Sequence, residues 1–203
     1  NYSISRTELN RFLINQAESL GVNFIFGTSV KNIDEVNKNL TLDESGNKSS
    51  YNYEVLIGAD GAGSVVRKKI LSLKNIEDRV DWLGVSYKEL FMPADDDGRE
   101  KIDTKALHIW PRGSHMLMAL PNLDNSFTMT LYLPENKDEI NFSNLKTPVD
   151  VKSYFKKFHS DSVEHMPNYL EEFQQNKSSR LGTVRCSSWH FEGQLGIIGD
   201  AAH

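Results

Sequence analysis

Cysteine is nearly absent: Cys186 stands alone in 203 residues. One cysteine excludes an internal disulfide, and no Cys/His spacing of the metal-binding kind surrounds it. The expectation for Cys186 is a packed strand residue, because apolar burial raises a thiol's pKa and quiets it. A reducing cytoplasm fits. No apolar run approaches the roughly 18 residues a membrane span requires. Neither sign of charge dominates: 23 basic and 28 acidic residues leave a net charge of -5, mixed along the chain. Nucleic acid is therefore not an expected partner, and this segment offers no membrane contact. The six histidines are scattered; no His-Asp-Ser or Cys-His arrangement follows from their spacing, so no protein nucleophile is expected. No G-x-G-x-x-G occurs, which argues against an autonomous Rossmann site. There is no internal repeat and no low-complexity tract. Asn1-Tyr2-Ser3 shows neither an initiator Met nor a charged-then-apolar leader, and both ends read as cuts.

What is present begins with Ser5-Arg6-Thr7-Glu8, a capping box ahead of a helix with Leu9, Phe12, Leu13, Ala17 and Leu20 on one face, ended by Gly21. Strands are expected at Val22 to Phe26, Val30 to Ile33, Leu40 to Leu42 and Tyr51 to Ile57, with a turn at Glu44-Ser45-Gly46-Asn47. A helix follows over Ser64 to Leu71. From Asp81 onward long strands dominate: Trp82 to Met92, Lys105 to Trp110, Met116 to Leu120 and Phe127 to Leu133, an antiparallel meander around the solvated loop Asp95 to Gly98. Helices at Val149 to Phe158 and Tyr169 to Gln174 come next. Thr183 to Phe191 and Ile197-Ile198 read as strands. The organisation is mixed α/β: a nucleotide-binding part from both ends (1–72 and 181–203) with a sheet-rich insertion (73–180) that walls a cavity.

Two loops carry the chemistry. In Ile57-Gly58-Ala59-Asp60-Gly61, a strand runs into a glycine turn and a helix start, the geometry that aims backbone N–H groups at a phosphate. Arg67, on the following helix, is placed to reach a phosphate. The plain reading is a helix cap at Asp60 or Ser64. In Gly199-Asp200-Ala201-Ala202-His203, a carboxylate followed by small residues suits close contact with ribityl or ribose hydroxyls; the plain reading is again a turn. Met116, Met118 and Leu120 alternate on one strand face, with Tyr132 and Leu107 on neighbouring strands. They are either sheet core or an apolar wall for a flat aromatic ligand.

The pairing of Gly58-Ala59-Asp60-Gly61 with Gly199-Asp200-Ala201-Ala202-His203 resembles the class A flavoprotein aromatic hydroxylases. Narrower segments resemble their kynurenine-hydroxylating branch: Leu107-His108-Ile109-Trp110-Pro111-Arg112, Met118-Ala119-Leu120-Pro121-Asn122, Ser126-Phe127-Thr128 and Cys186-Ser187-Ser188-Trp189-His190-Phe191. They occur in the family's order along the whole chain. The resemblance implies a Rossmann-like FAD/NAD(P)-binding domain with an inserted antiparallel-sheet substrate domain. It implies FAD as cofactor, NADPH as electron donor, and O2 and L-kynurenine as substrates, giving 3-hydroxykynurenine. Flavin would carry the chemistry, while the protein orients the ring and excludes water. No metal is implied.

Carried over by position, the resemblance gives Arg6, Val30, Asp60, Gly61, Arg67, Gly199, Asp200 and Ala201 to the cofactor, Val30 lying against the adenine through its backbone. It gives Leu107, Met116, Met118, Leu120 and Tyr132 to the apolar substrate wall. Tyr132 stands where the family usually has Phe. The family's N-terminal glycine fingerprint, its carboxylate-holding Arg and Tyr, and its C-terminal flavin loop have no counterpart in this chain, which alone is expected to be colourless. A bacterial protein of this kind is expected in the cytoplasm and a eukaryotic one on the mitochondrial outer membrane. A hydroxylase of another aromatic acid, or a non-catalytic binding module on the same fold, are the alternatives.

Overall fold

The computed structural model describes residues 6–77, 79–136 and 140–203. The first half of the chain holds α1 (Arg6–Ser19), β1 (Ser29–Asp34), β2 (Asn39–Glu44), β3 (Asn47–Asn52), β4 (Leu56–Gly58), α2 (Val65–Leu73) and β5 (Arg79–Met92). The second half holds β6 (His108–Arg112), β7 (His115–Pro121), β8 (Phe127–Pro134), α3 (Pro148–Phe158), α4 (Ser160–Val163), α5 (Tyr169–Gln175), β9 (Ser179–Arg185), β10 (His190–Phe191) and β11 (Leu195–Ile197). A 3-10 turn over Gly199–Ala201 closes it. The chain divides into two units, 21–81 with 182–203 and 1–20 with 82–181.

In the first unit, β1, β2 and β3 form an antiparallel meander. Ser45 and Gly46 both have positive φ (51° and 94°), the two-residue turn whose twist matches the strands it joins. Asp43 fixes it by accepting from the Gly46 N–H at 2.8 Å. A second sheet has the order β10-β11-β4, with β11 and β4 parallel (Leu195 beside Leu56, Ile197 beside Gly58). Ile33, Leu40, Leu42, Val66, Ile70, Leu195 and Ile197 make the core under α2. Full burial of a side chain such as Ile70 contributes roughly 1.5–3 kcal/mol.

Three strand expectations are corrected here. Tyr51 to Ile57 is two strands: β3 pairs with β2 while β4 pairs with β11. One straight strand cannot serve both sheets, and the chain turns at Tyr53, whose N–H donates to the Lys38 carbonyl. Thr183 to Phe191 is likewise broken, between β9 and β10; Cys186 lies in the break, half-buried, its thiol donating to the Ser188 carbonyl. Val22 to Phe26 forms no strand, since no neighbouring strand among the described residues supplies ladder bonds. Its Phe24 and Phe26 rings stack on each other, centroids 5.6 Å apart. The capping residue Ser5 lies outside the described residues; α1 itself follows as expected.

In the second unit the sheet order is β6-β7-β8-β5-β9. Alternation along β7 and β8 divides it into two faces. Leu117, Ala119, Met129, Leu131, Leu133, Leu90 and Met92 face a core completed by Val151, Tyr154 and Phe155 of α3 and Phe173 of α5. Helix α3 starts on a capping box, Thr147 and Asp150 bonding each other's backbone, with Pro148 in the first turn. Two polar insertions interrupt this core. Lys88 donates from Nζ to the Phe173 carbonyl at 2.6 Å and lies over that residue's ring; desolvation pushes its pKa down. Tyr154 Oη bonds His115 Nδ1 at 2.8 Å and His159 Nε2 at 3.1 Å. His159 Nδ1 has no partner among the described residues. Desolvation, with Arg112 and His115 nearby, pushes the His159 pKa down to about 4.

Candidate functional site

The first candidate surface lies at the carboxyl ends of the parallel strands β4 and β11, where ligands of open α/β sheets bind. Strand β4 ends at Gly58. A Cβ there would come within 2.6 Å of Val66 Cβ, so glycine is what lets α2 pack this closely. Gly61 takes a φ of 75° in the following turn. Both Asp60 carboxylate oxygens are used locally: one accepts from Ser64 Oγ at 2.6 Å, the other from the Val65 N–H at 2.7 Å. Ser64 Oγ in turn accepts from the Arg67 N–H, capping α2. The helix-cap reading of Asp60 and Ser64 therefore describes this loop.

Arg67 departs from expectation. Its side chain is 1% exposed. It donates from Nη2 to the Ala62 carbonyl at 2.6 Å and from Nη1 to the Ala201 carbonyl at 2.9 Å. A buried guanidinium held by two carbonyls does not reach out to a phosphate; it ties the Asp-Gly loop to the Gly-Asp loop. In the latter, Gly199 has a φ of 60° and Ala201 is buried. Asp200 is exposed and makes no hydrogen bond among the described residues, so its carboxylate is the one available to a ligand. Val30 sits apart on β1, beside a bulge. Arg6 belongs to the other unit, its side chain outside the description.

The second surface is the face of the five-stranded sheet opposite the core. Strand register lays three rungs across it: Met116–Tyr132–Tyr87, Met118–Thr130–Glu89 and Leu120–Thr128–Phe91. A groove of about 760 Å³ lies over these strands, bounded by Thr7 and Glu8 of α1 and by Leu123, Asp124 and Leu181. Met118, Leu120 and Tyr132 line it; Leu107 and Met116, expected beside them, do not. Tyr87, Glu89, Phe91, Thr128 and Thr130 line it as well and escaped the sequence reading. Their signal was the alternation Tyr87-Glu89-Phe91, facing the same way as the Met116 row once β5 pairs with β8. The Tyr87 and Tyr132 ring centroids lie 6.1 Å apart, and desolvation pushes the Tyr132 pKa up. Among the described residues no cluster of metal ligands occurs, and no helix is long and apolar enough to cross a membrane.

A family model described as FAD binding domain matches residues 2–203. The chain belongs to the FAD binding domain family. Kynurenine 3-monooxygenase of Flavobacterium psychrophilum is 39% identical over all of this chain and 45% of its own length. The enzyme of that name from Dictyostelium discoideum is 38% identical over all of this chain and 44% of its own length. The chain thus spans less than half the length of these relatives. Among solved structures, Klebsiella pneumoniae HpxO R204Q complexed with FAD superposes with a TM-score of 0.67 at 18% identity, over 98% of this chain and 49% of that one. OxyS anhydrotetracycline hydroxylase from Streptomyces rimosus gives 0.64 at 17% identity, over 98% and 37%. At such identities the likeness is one of fold.

The loops of this FAD-binding-family chain fit a dinucleotide. Asp200 is an exposed, unengaged acceptor, and Gly199 and Ala201 are small enough to leave room for close approach.

Proposed function

We propose that the protein carrying this chain is an FAD-dependent, NADPH- and O2-using hydroxylase that converts L-kynurenine to 3-hydroxykynurenine. The observation that supports it is identity of 37–39% to kynurenine 3-monooxygenases over the full chain. Residues 1–72 and 181–203 serve the cofactor and 73–180 the substrate. Asp200 accepts hydrogen bonds from the ribityl and pyrophosphate end, with Gly199 and Ala201 packed against it. Gly61 and Asp60 brace the site and admit the nicotinamide nucleotide, and Val30 lies along the adenine. Arg67 holds the two loops in register. Met118, Leu120 and Tyr132, which line the groove, orient the aromatic ring and exclude water. When bound, flavin supplies the oxygen-transfer chemistry, so no protein acid or base is required at the ring.

The test is NADPH oxidation by the complete protein, followed with and without L-kynurenine, and chromatography of the product. Stimulated oxidation with 3-hydroxykynurenine formed is expected. A flavin-loaded protein that leaves kynurenine unmodified would reject the reading.

A further inference from the structure

Strand β5 is paired differently along its two edges. One edge pairs with β8 from Val85 to Met92. Its neighbour on the other edge, β9, begins only at Ser179. Before β9 begins, Asn176 already reaches β5, its Nδ2 donating to the Glu89 carbonyl at 2.8 Å. Two residues along the strand, the Phe91 N–H donates to Glu172 Oε2 at 2.8 Å. Lys88, between the two, donates from Nζ to the Phe173 carbonyl at 2.6 Å. That carbonyl lies in the last turn of α5, where a helix leaves acceptors without internal partners and favours a cation. The end of α5 thus supplies, with an amide and a carboxylate, the main-chain bonds that a neighbouring strand would have made. Open space lies on both sides of this stretch. Tyr87 and Glu89 border the groove of about 760 Å³ and also a polar crevice of about 450 Å³, shared with Gln175, Asn176, Lys177 and Ser179.

Resting on the proposed function, we infer that the end of α5 positions the β5 wall of the groove. Glu172 and Asn176 are positioning residues. Neither lines the groove; each acts through the main chain of a residue that does, Phe91 and Glu89. Their chemistry suits the task, since a carboxylate accepts from an N–H and an amide donates to a carbonyl. Without them the Glu89 carbonyl and the Phe91 N–H turn toward water, and the strand that carries them turns too. A displacement of about 1 Å that starts away from the chemistry is enough to slow a reaction by up to ~100-fold. The groove therefore depends on a helix that contributes no side chain to it.

The experiment compares the complete flavin-loaded protein with its Glu172→Ala, Glu172→Gln and Asn176→Ala variants. The KM values for kynurenine and NADPH, the urea midpoint, and amide hydrogen exchange over residues 87–92 are read. Both alanine variants are expected to raise the kynurenine KM roughly 3- to 10-fold, the loss of one hydrogen bond. The NADPH KM is expected to stay put and exchange over 87–92 to quicken. Glu172→Gln keeps an oxygen that accepts from the Phe91 N–H and is expected to restore most of the wild-type kynurenine KM. Asn176 is exposed at the C-cap of α5, so its variant decides the matter even if Glu172→Ala fails to load flavin. Alanine variants that lower the urea midpoint but leave the kynurenine KM unchanged overturn the inference, as does a Glu172→Gln as damaged as Glu172→Ala; the hydroxylase reading then stands. A wild-type protein that neither binds nor hydroxylates kynurenine overturns both.

Discussion

Arg67 joins Ala62 to Ala201 through one guanidinium. Replacing it by Met leaves the buried Ala201 carbonyl without this donor, at about 1–3 kcal/mol, while the carbonyl of exposed Ala62 can turn to water. Arg67→Lys is expected to rescue little, because an ammonium lacks the planar fork that spans both partners. Urea unfolding and flavin content of the complete protein, measured together, check this. Gly58→Ala drives a Cβ into Val66 at 2.6 Å, and an overpacking loss of about 1–3 kcal/mol is expected in the same unfolding assay. His159 sets an acid limit. Its folded pKa, about 4, lies below the ordinary histidine value near 6.5. Between these values the unfolded chain binds the extra proton, so stability falls as pH drops from about 6.5 to 4, by up to about 3 kcal/mol, and this contribution levels off below. Thermal midpoints across that range, with His159→Phe abolishing this slope, are the measurement.

Elements were legible where short-range signals decide them. The helix expected over Val149 to Phe158 is α3, started by the Thr147–Asp150 capping box, and Thr147→Ala is expected to cost about 1 kcal/mol of stability by urea unfolding. Ser45-Gly46 announces its hairpin, and the Gly58-Asp60-Gly61 and Gly199-Asp200 turns stand out because small residues end apolar strands. Where pairing is non-local the sequence is silent. Nothing within Tyr51 to Ile57 says that its two halves join different sheets. Tyr87 and Glu89 become groove residues only because β5 pairs with β8 some forty positions later. Arg67 looked outward in sequence because its second partner lies 134 positions away. Alternation on β7 revealed a face, and it took the neighbouring strands to show that this face is half hydroxylic.

For the whole molecule, the 203-residue chain alone is expected to be colourless after gel filtration. It spans under half the length of its relatives and its loops hold a carboxylate and glycines, with no dinucleotide fingerprint of its own. Flavin absorbance co-eluting with the isolated chain would contradict this. The Arg67 bridge also has a consequence for biosynthesis. The unit it closes is discontinuous, with about a hundred residues, 82–181, made between its halves. At roughly 5–20 residues per second, the ribosome leaves β4 and α2 waiting on the order of 5–20 s for β11 and Ala201 to emerge. During that interval the nascent chain presents an unpaired strand and a guanidinium without its second carbonyl. The unit of residues 1–20 and 82–181 is all made by then and is free to fold first, and the unit of 21–81 and 182–203 closes last, around its own returning end.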